Sequence, residues 1–254
     1  MYLTKFAFSI LILGLWNIVT ASNDTSAAET RIVGGQVTTI SNVPYMVQVW
    51  KNGSFACGGA LVAKNFVLCA AHCFRELDPA NVVVVAGATN LMETGVRSKV
   101  QKLLLPAAWN PTTMYMDAAV LKLATPITTA AAKTVGFYRG KLNPGLEVRI
   151  SGWGRVTEDG KMSRQIRTTR VPVVNRDQCV KQYQDVFTLQ NTMFCAGVPG
   201  SKDACLGDSG GPAICKGKLC GIVSYGNGCA RVGFPGIYTI LNRALPFIKN
   251  AMKR

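Results

Sequence analysis

The stretch Asp203-Ala-Cys-Leu-Gly-Asp-Ser-Gly-Gly-Pro212 carries more chemistry than any other part of this 254-residue chain. Its serine, Ser209, is flanked by Gly207, Gly210 and Gly211. Glycines permit unusual dihedrals and a close approach of backbone to ligand. In such a turn two backbone N–H groups can point at one oxygen, as the transition state of acyl transfer requires. A serine hydroxyl in that role needs a base, and the sequence holds one histidine, His72, in Leu68-Cys-Ala-Ala-His-Cys73. It stands at the end of an apolar run, beside a cysteine able to pin it. A third group must fix the imidazole tautomer and stabilise the imidazolium. Asp117, in Met116-Asp-Ala-Ala-Val-Leu-Lys-Leu123, opens a strongly apolar segment, where a carboxylate is costly to bury unless something binds it.

Outward from these residues the text is rich in strand signals. Short apolar runs recur at Tyr45–Val49, Ala60–Val62, Phe66–Ala71, Val82–Ala86, Ala119–Leu123, Val148–Ser151, Val171–Val174, Gly221–Tyr225 and Gly236–Ile240, separated by Gly, Pro or Asn clusters. Only the tail, Asn242–Met252, has a helical pattern, with Leu245, Ile248 and Met252 on one side. Pro246 is tolerable there because it falls in the first turn. Many short strands with turn signals point to antiparallel barrels or a sandwich. Pattern alone does not choose between them.

The N-terminus reads as a leader. Lys5 precedes an apolar run from Phe6 to Val19 that ends in Val19-Thr20-Ala21, small residues suited to signal-peptidase cleavage. A run of about fifteen residues is short for a membrane span, and later apolar runs are broken by charge, Gly or Pro, so no span is expected after signal removal. Nine cysteines fit an exported, disulfide-bonded chain, and the odd count leaves at least one unpaired in the monomer. The formal net charge is +15, from 28 basic against 13 acidic residues. Such a balance can serve nucleic-acid or anionic-surface binding. Here the basic residues are scattered from Lys51 to Arg254, without a tight run or interleaved aromatics. We read the charge as a surface property favouring acidic partners, with no specific nucleic-acid target.

Taken together, Arg-Ile-Val-Gly-Gly35, Ala-Ala-His-Cys73, Asp117 before its apolar run, Ser-Gly-Trp-Gly154, Gly-Asp-Ser-Gly-Gly-Pro212, Ser-Tyr-Gly226 and Pro-Gly-Ile-Tyr238 resemble the chymotrypsin-like serine peptidases, and within them the trypsins. The resemblance covers nearly everything from Ile32 to Arg254. It implies an all-β fold of two packed antiparallel six-stranded barrels with a C-terminal helix. The implied organisation is a signal peptide over 1–21, a propeptide over 22–31 and a peptidase domain over 32–254, with barrels at about 32–130 and 131–254. It implies Ser209 as nucleophile, His72 as general base then acid, Asp117 as orienter, and the Gly207 and Ser209 N–H groups as oxyanion hole. These are the roles that the triad and its donors play throughout that family.

The resemblance further implies a primary pocket with Asp203 at its base, lined by Ser224, Gly226 and Gly236. Glycines leave such a slot open for a long side chain, and a buried carboxylate favours an entering arginine or lysine. The expected product is a secreted, extracellular endopeptidase cutting after Arg or Lys, with protein substrates, an activating trypsin-like protease and protein inhibitors as partners, and with no cofactor or metal. Cleavage of Arg31–Ile32 would free an α-ammonium that family precedent buries against Asp208. Bridges Cys57–Cys73, Cys179–Cys195 and Cys205–Cys229 are implied too.

Several residues depart from the family pattern. Val148 stands where trypsins often have cysteine, so Cys215 loses its usual partner, and Cys220 across a tight hairpin is the candidate replacement. Cys69 is left as a buried free thiol. Ala204 replaces a common serine, which predicts arginine over lysine by a modest factor. Tyr225 replaces a common tryptophan and Leu206 a common polar residue, so the rim subsites do not carry over. Ala86–Lys99 holds only Glu93, too few oxygen ligands for a calcium loop. Asn52-Gly-Ser54 is a glycosylation sequon in an expected exposed loop, and Asn23-Asp-Thr25 is another in the propeptide.

Overall fold

Runs of Val, Leu and Ala bounded by turn residues form antiparallel strands that bury one or both faces. The computed structural model describes residues 34–75 and 79–254; the segments read as leader and propeptide, and the Arg31–Ile32 junction, lie outside them. The strands are β1 (Gln36–Val37), β2 (Met46–Lys51), β3 (Ser54–Ala63), β4 (Phe66–Cys69), β5 (Val82–Ala86), β6 (Val96–Leu104), β7 (Ala119–Leu123), β8 (Glu147–Gly152), β9 (Arg167–Pro172), β10 (Met193–Ala196), β11 (Pro212–Cys215), β12 (Lys218–Tyr225) and β13 (Gly236–Ile240). Two helices complete the fold, α1 (Arg176–Tyr183) and α2 (Leu241–Ala251).

The first half is a closed barrel in the order β2-β3-β4-β7-β6-β5. Asn52 and Gly53, both at positive φ, make the two-residue hairpin between β2 and β3, the turn whose twist matches the strands. Asn52 is exposed there. The second half is a seven-stranded sheet, β1-β9-β8-β11-β12-β13-β10. It curls until its β9 and β10 ends meet through a Val173–Ala196 bridge and the bond from Val174 N–H to Cys195 O, 2.8 Å. That seam is short because β9 ends at Pro172, which has no N–H to donate. The two-residue β1 is an added edge on β9. An apolar cluster runs from the first barrel into Trp153, Ile166, Ile214, Leu219 and Leu241 of the second half, so the halves share one core.

The structure differs from the sequence reading in particular places. The run expected to continue to Ala71 stops at Cys69, and Ala71–Phe74 is a 3₁₀ turn. Strands β1, β6, β10 and β11 were not expected; β6 turns only Ser98 and Val100 firmly inward, so it lacks an apolar signature. Helix α1 was also unexpected. Its apolar contribution is only Cys179 and Tyr183, and it is started by Asn175, whose side chain accepts from the Asp177 and Gln178 N–H groups.

Four disulfides form: Cys57–Cys73, Cys179–Cys195, Cys205–Cys229 and Cys215–Cys220, the last across the β11–β12 hairpin. Cys69 is free and fully buried; burial pushes its thiol pKa up. It donates to Gly58 O at 3.1 Å.

Candidate active site

The apolar strand β4 delivers the chain into the Ala71–Phe74 turn, which carries His72. The neighbouring Cys73 ties that turn to β3 through Cys57. Asp117 lies just ahead of β7 and is wholly buried. The donors its burial demands are present. His72 N–H reaches Asp117 Oδ1 at 2.9 Å, the imidazole Nδ1 lies 2.8 Å from Oδ2, and Ser224 Oγ donates to Oδ2 at 2.5 Å. Thr239 Oγ1 donates to the Asp117 carbonyl at 2.8 Å. With the carboxylate on Nδ1, the other ring nitrogen is left to act as the acceptor. Ser224 and Thr239 belong to the second sheet, so Asp117 is held from both halves.

Ser209 sits in the turn between Cys205 and β11. The turn is closed by bonds from Asp208 N–H to Cys205 O and from Gly211 N–H to Asp208 O, each 2.9 Å. It docks on the first barrel through the bond from Gly58 N–H to Ser209 O, also 2.9 Å. Gly210 has φ +76°, and a Cβ there would lie 2.3 Å from Cys69 Sγ, so only glycine permits the approach. Among the described residues, the Gly207 and Ser209 N–H groups donate to no protein acceptor. Ser209 and His72 line one cavity of 670 Å³. No hydrogen bond joins hydroxyl to imidazole; nucleophile and base often tighten only around substrate.

Asp203 lines the same cavity and is 2% exposed. Its carboxylate accepts from Ala204 N–H at 2.8 Å and Ala230 N–H at 3.2 Å. Burial raises its pKa to about 7, against these bonds and with a smaller push from the Asp208 charge. Gly236 forms the facing wall; a Cβ there would lie 2.4 Å from Asp203 Oδ1. Ser224, Gly226, Ala204 and Tyr225 line the cavity as well. Asp208 is fully buried, its carboxylate accepting from Cys205 N–H and Gly154 N–H at 2.9 Å each, and burial raises its pKa to about 6. It is given room by the Gly152-Trp-Gly154 segment, where a Cβ at Gly152 would lie 2.1 Å from Asp208 Oδ1.

Of the residues singled out on the sequence, His72, Asp203, Ser209, Ser224, Gly226 and Gly236 line one cavity and Asp117 bonds His72, while Arg31 and Ile32 lie outside the described residues. Others had no sequence signal. Thr239 braces Asp117 from mid-strand, and Phe187, stacked on Tyr225 at 4.7 Å between ring centroids, lines the cavity. Glu158 reaches the rim, paired with Arg231.

A closed barrel and a curled sheet that share a cleft, with an imidazole–carboxylate pair facing a glycine-cradled serine, define a serine protease of the chymotrypsin type. The family model for Trypsin matches residues 32–248. Seminase of Drosophila melanogaster is 37% identical over 230 residues, covering 89% of this chain and 84% of that protein. The vitellin-degrading protease of Bombyx mori is 37% identical over 233 residues, 90% of this chain and 87% of that protein. Trypsin alpha of Drosophila melanogaster is 36% identical over 211 residues, 82% of each. The chain belongs to the trypsin family of serine proteases.

Proposed function

We propose that this protein is a secreted endopeptidase that hydrolyses peptide bonds after arginine or lysine through an acyl-enzyme, and that cleavage of Arg31–Ile32 activates it. The observation that carries the reading is the Asp203 carboxylate, buried in the lining of the cavity that His72 and Ser209 also line. A buried carboxylate with a pKa near 7 gains most from a cation that enters beside it. Ser209 attacks the carbonyl, His72 takes its proton and returns it to the leaving amine, and Asp117 holds the ring. The Gly207 and Ser209 N–H groups receive the oxyanion. Ala204 offers no hydroxyl to a lysine ammonium, so arginine is preferred.

Asp208 supports the activation step. It is buried with only two backbone donors, and a cation placed against it would satisfy it. A new Ile32 ammonium is that cation, and a trypsin-like protease is the activator. The leader over 1–21, the propeptide over 22–31 and four disulfides support export. Among the described residues no helix is long and apolar enough to cross a membrane.

The test is to treat the purified precursor and its Arg31→Gln variant with trypsin, remove the trypsin, and digest a mixed peptide library. The wild type should show Ile32 as a new N-terminus and cut after Arg, then Lys, while Arg31→Gln stays inactive. Cuts after apolar residues would overturn the specificity. Full activity in Arg31→Gln would overturn the switch.

A further inference from the structure

Basic residues that are far apart in the sequence meet on one outer wall of the first barrel. On β6, Arg97 and Lys99 are exposed while Ser98 and Val100 between and after them turn inward. A bulge after Val100 then sets Lys102 directly opposite Lys122 of β7. Lys122 Nζ donates to Arg254 O at 2.9 Å, which brings the exposed Lys253 and Arg254 alongside. At the other end, the Arg97 guanidinium lies 5.9 Å over the Trp50 ring, which holds it in place.

Among the described residues, no Asp or Glu side chain balances this wall. None of the barrel's six strands, nor α2, contains Asp or Glu. Of the described carboxylates in this half, Asp117 is buried and Glu93 accepts from the Thr89 and Asn90 N–H groups. Arg97, Lys99 and Lys102 form no ion pair among the described residues, while Lys122 Nζ is held by Arg254 O. Like charges placed directly opposite across a ladder destabilise it, so the Lys102–Lys122 pair costs the free protein stability that a polyanion would restore.

We propose that this wall is a binding site for a sulfated polysaccharide. Four disulfides fit an oxidising, extracellular setting, and a sulfated glycan is the polyanion whose charge would complement the wall there. A lipid surface would want apolar side chains among the cations; here the exposed ones, Val96 and Leu105, only flank the row at its two ends, and none is exposed between Arg97 and Lys102 or on β7. Lys122 is near the far end of β7 from Asp117, roughly 16 Å along the strand at ~3.3 Å per residue. A bound chain therefore leaves the cleft open and tethers the protein without blocking it.

The experiment compares the wild type, a Lys99→Gln/Lys102→Gln/Lys122→Gln variant, and a control with three other exposed lysines changed, Lys181→Gln/Lys216→Gln/Lys218→Gln. Heparin is the probe. The wall variant should bind heparin about tenfold or more weakly, with a shallower salt dependence, and the control should change by less than about threefold. Heparin should raise the thermal midpoint of the wild type by mass action and that of the wall variant much less. After activation, hydrolysis of a small arginine substrate should be equal in all three, which also reports that each has folded. Equal losses in wall variant and control would reduce the effect to net charge and overturn the site. Tighter capture by phosphatidylserine vesicles or duplex DNA than by heparin would overturn the choice of ligand.

Discussion

The two halves contribute to one cleft by different physical means. The first closes every strand edge, carries one disulfide and presents His72 and Asp117 from the ends of apolar strands. The second has a short seam, three disulfides and two buried carboxylates, Asp203 and Asp208, close to Ser209. Burying charge is costly, and the cross-links fall in the half that bears more of it. A general base needs a fixed orientation, which a closed barrel supplies. A pocket that selects a cation needs a desolvated anion, which a sheet braced by cross-links can hold.

The sharpest way to break this division is to remove the chemistry and keep both halves. Ser209→Ala and His72→Ala should each lower kcat on an amide substrate by about 10⁵-fold or more, with an unchanged circular dichroism spectrum. Near-normal turnover in either would remove the roles assigned to these residues. Closing the pocket should come next. Gly236→Val puts carbon against Asp203 Oδ1 and should cut kcat/KM for arginine substrates by roughly 10²–10³-fold, while Ser209 still reacts with a small organophosphonate.

The disulfides offer a graded comparison within the second half. Cys205–Cys229 spans 24 residues and Cys215–Cys220 only 5. Loop-closure entropy then gives about 3.5 kcal/mol for the first and about 2 for the second. Double serine variants should order that way in denaturant titrations, and the first should also lose activity because its bridge walls the pocket.

A pH series probes the two buried carboxylates without changing a bond. Asp203 and Asp208 have folded pKa values raised to about 7 and about 6. The folded chain therefore holds protons that the unfolded chain has released, and their contribution to stability is fully present below about pH 4 and lost as pH rises through 6 to 7. Asp203→Asn should flatten the decline in the precursor's thermal midpoint across that range. Affinity for benzamidine in the wild type should rise over the same interval, as Asp203 becomes an anion.

Much of the site was legible because its chemistry demands particular residues at particular places. Gly207, Gly210 and Gly211 around Ser209 announce a backbone that must turn sharply, and Gly210 meets Cys69 so closely that a side chain would not fit. Asp117 before an apolar strand required donors, and His72 and Ser224 supply them. The fold was legible where strands are apolar. It was hidden in β6, whose inward face is mostly Ser98 and Val100, and in α1, whose cap at Asn175 and Gln178 was a better signal than its apolar pattern. The basic wall was invisible for another reason. Lys102 and Lys122 are strangers in sequence, and only strand pairing makes them neighbours.

The bond from Gly58 N–H on β3 to Ser209 O crosses the boundary between the halves, as do the hydroxyl bonds of Ser224 and Thr239 to Asp117. Activity is therefore a property of the docking and not of either sheet. A slip of one half over the other would silence the enzyme while both sheets still absorb as folded protein, so in rising urea turnover should vanish before the far-ultraviolet signal moves.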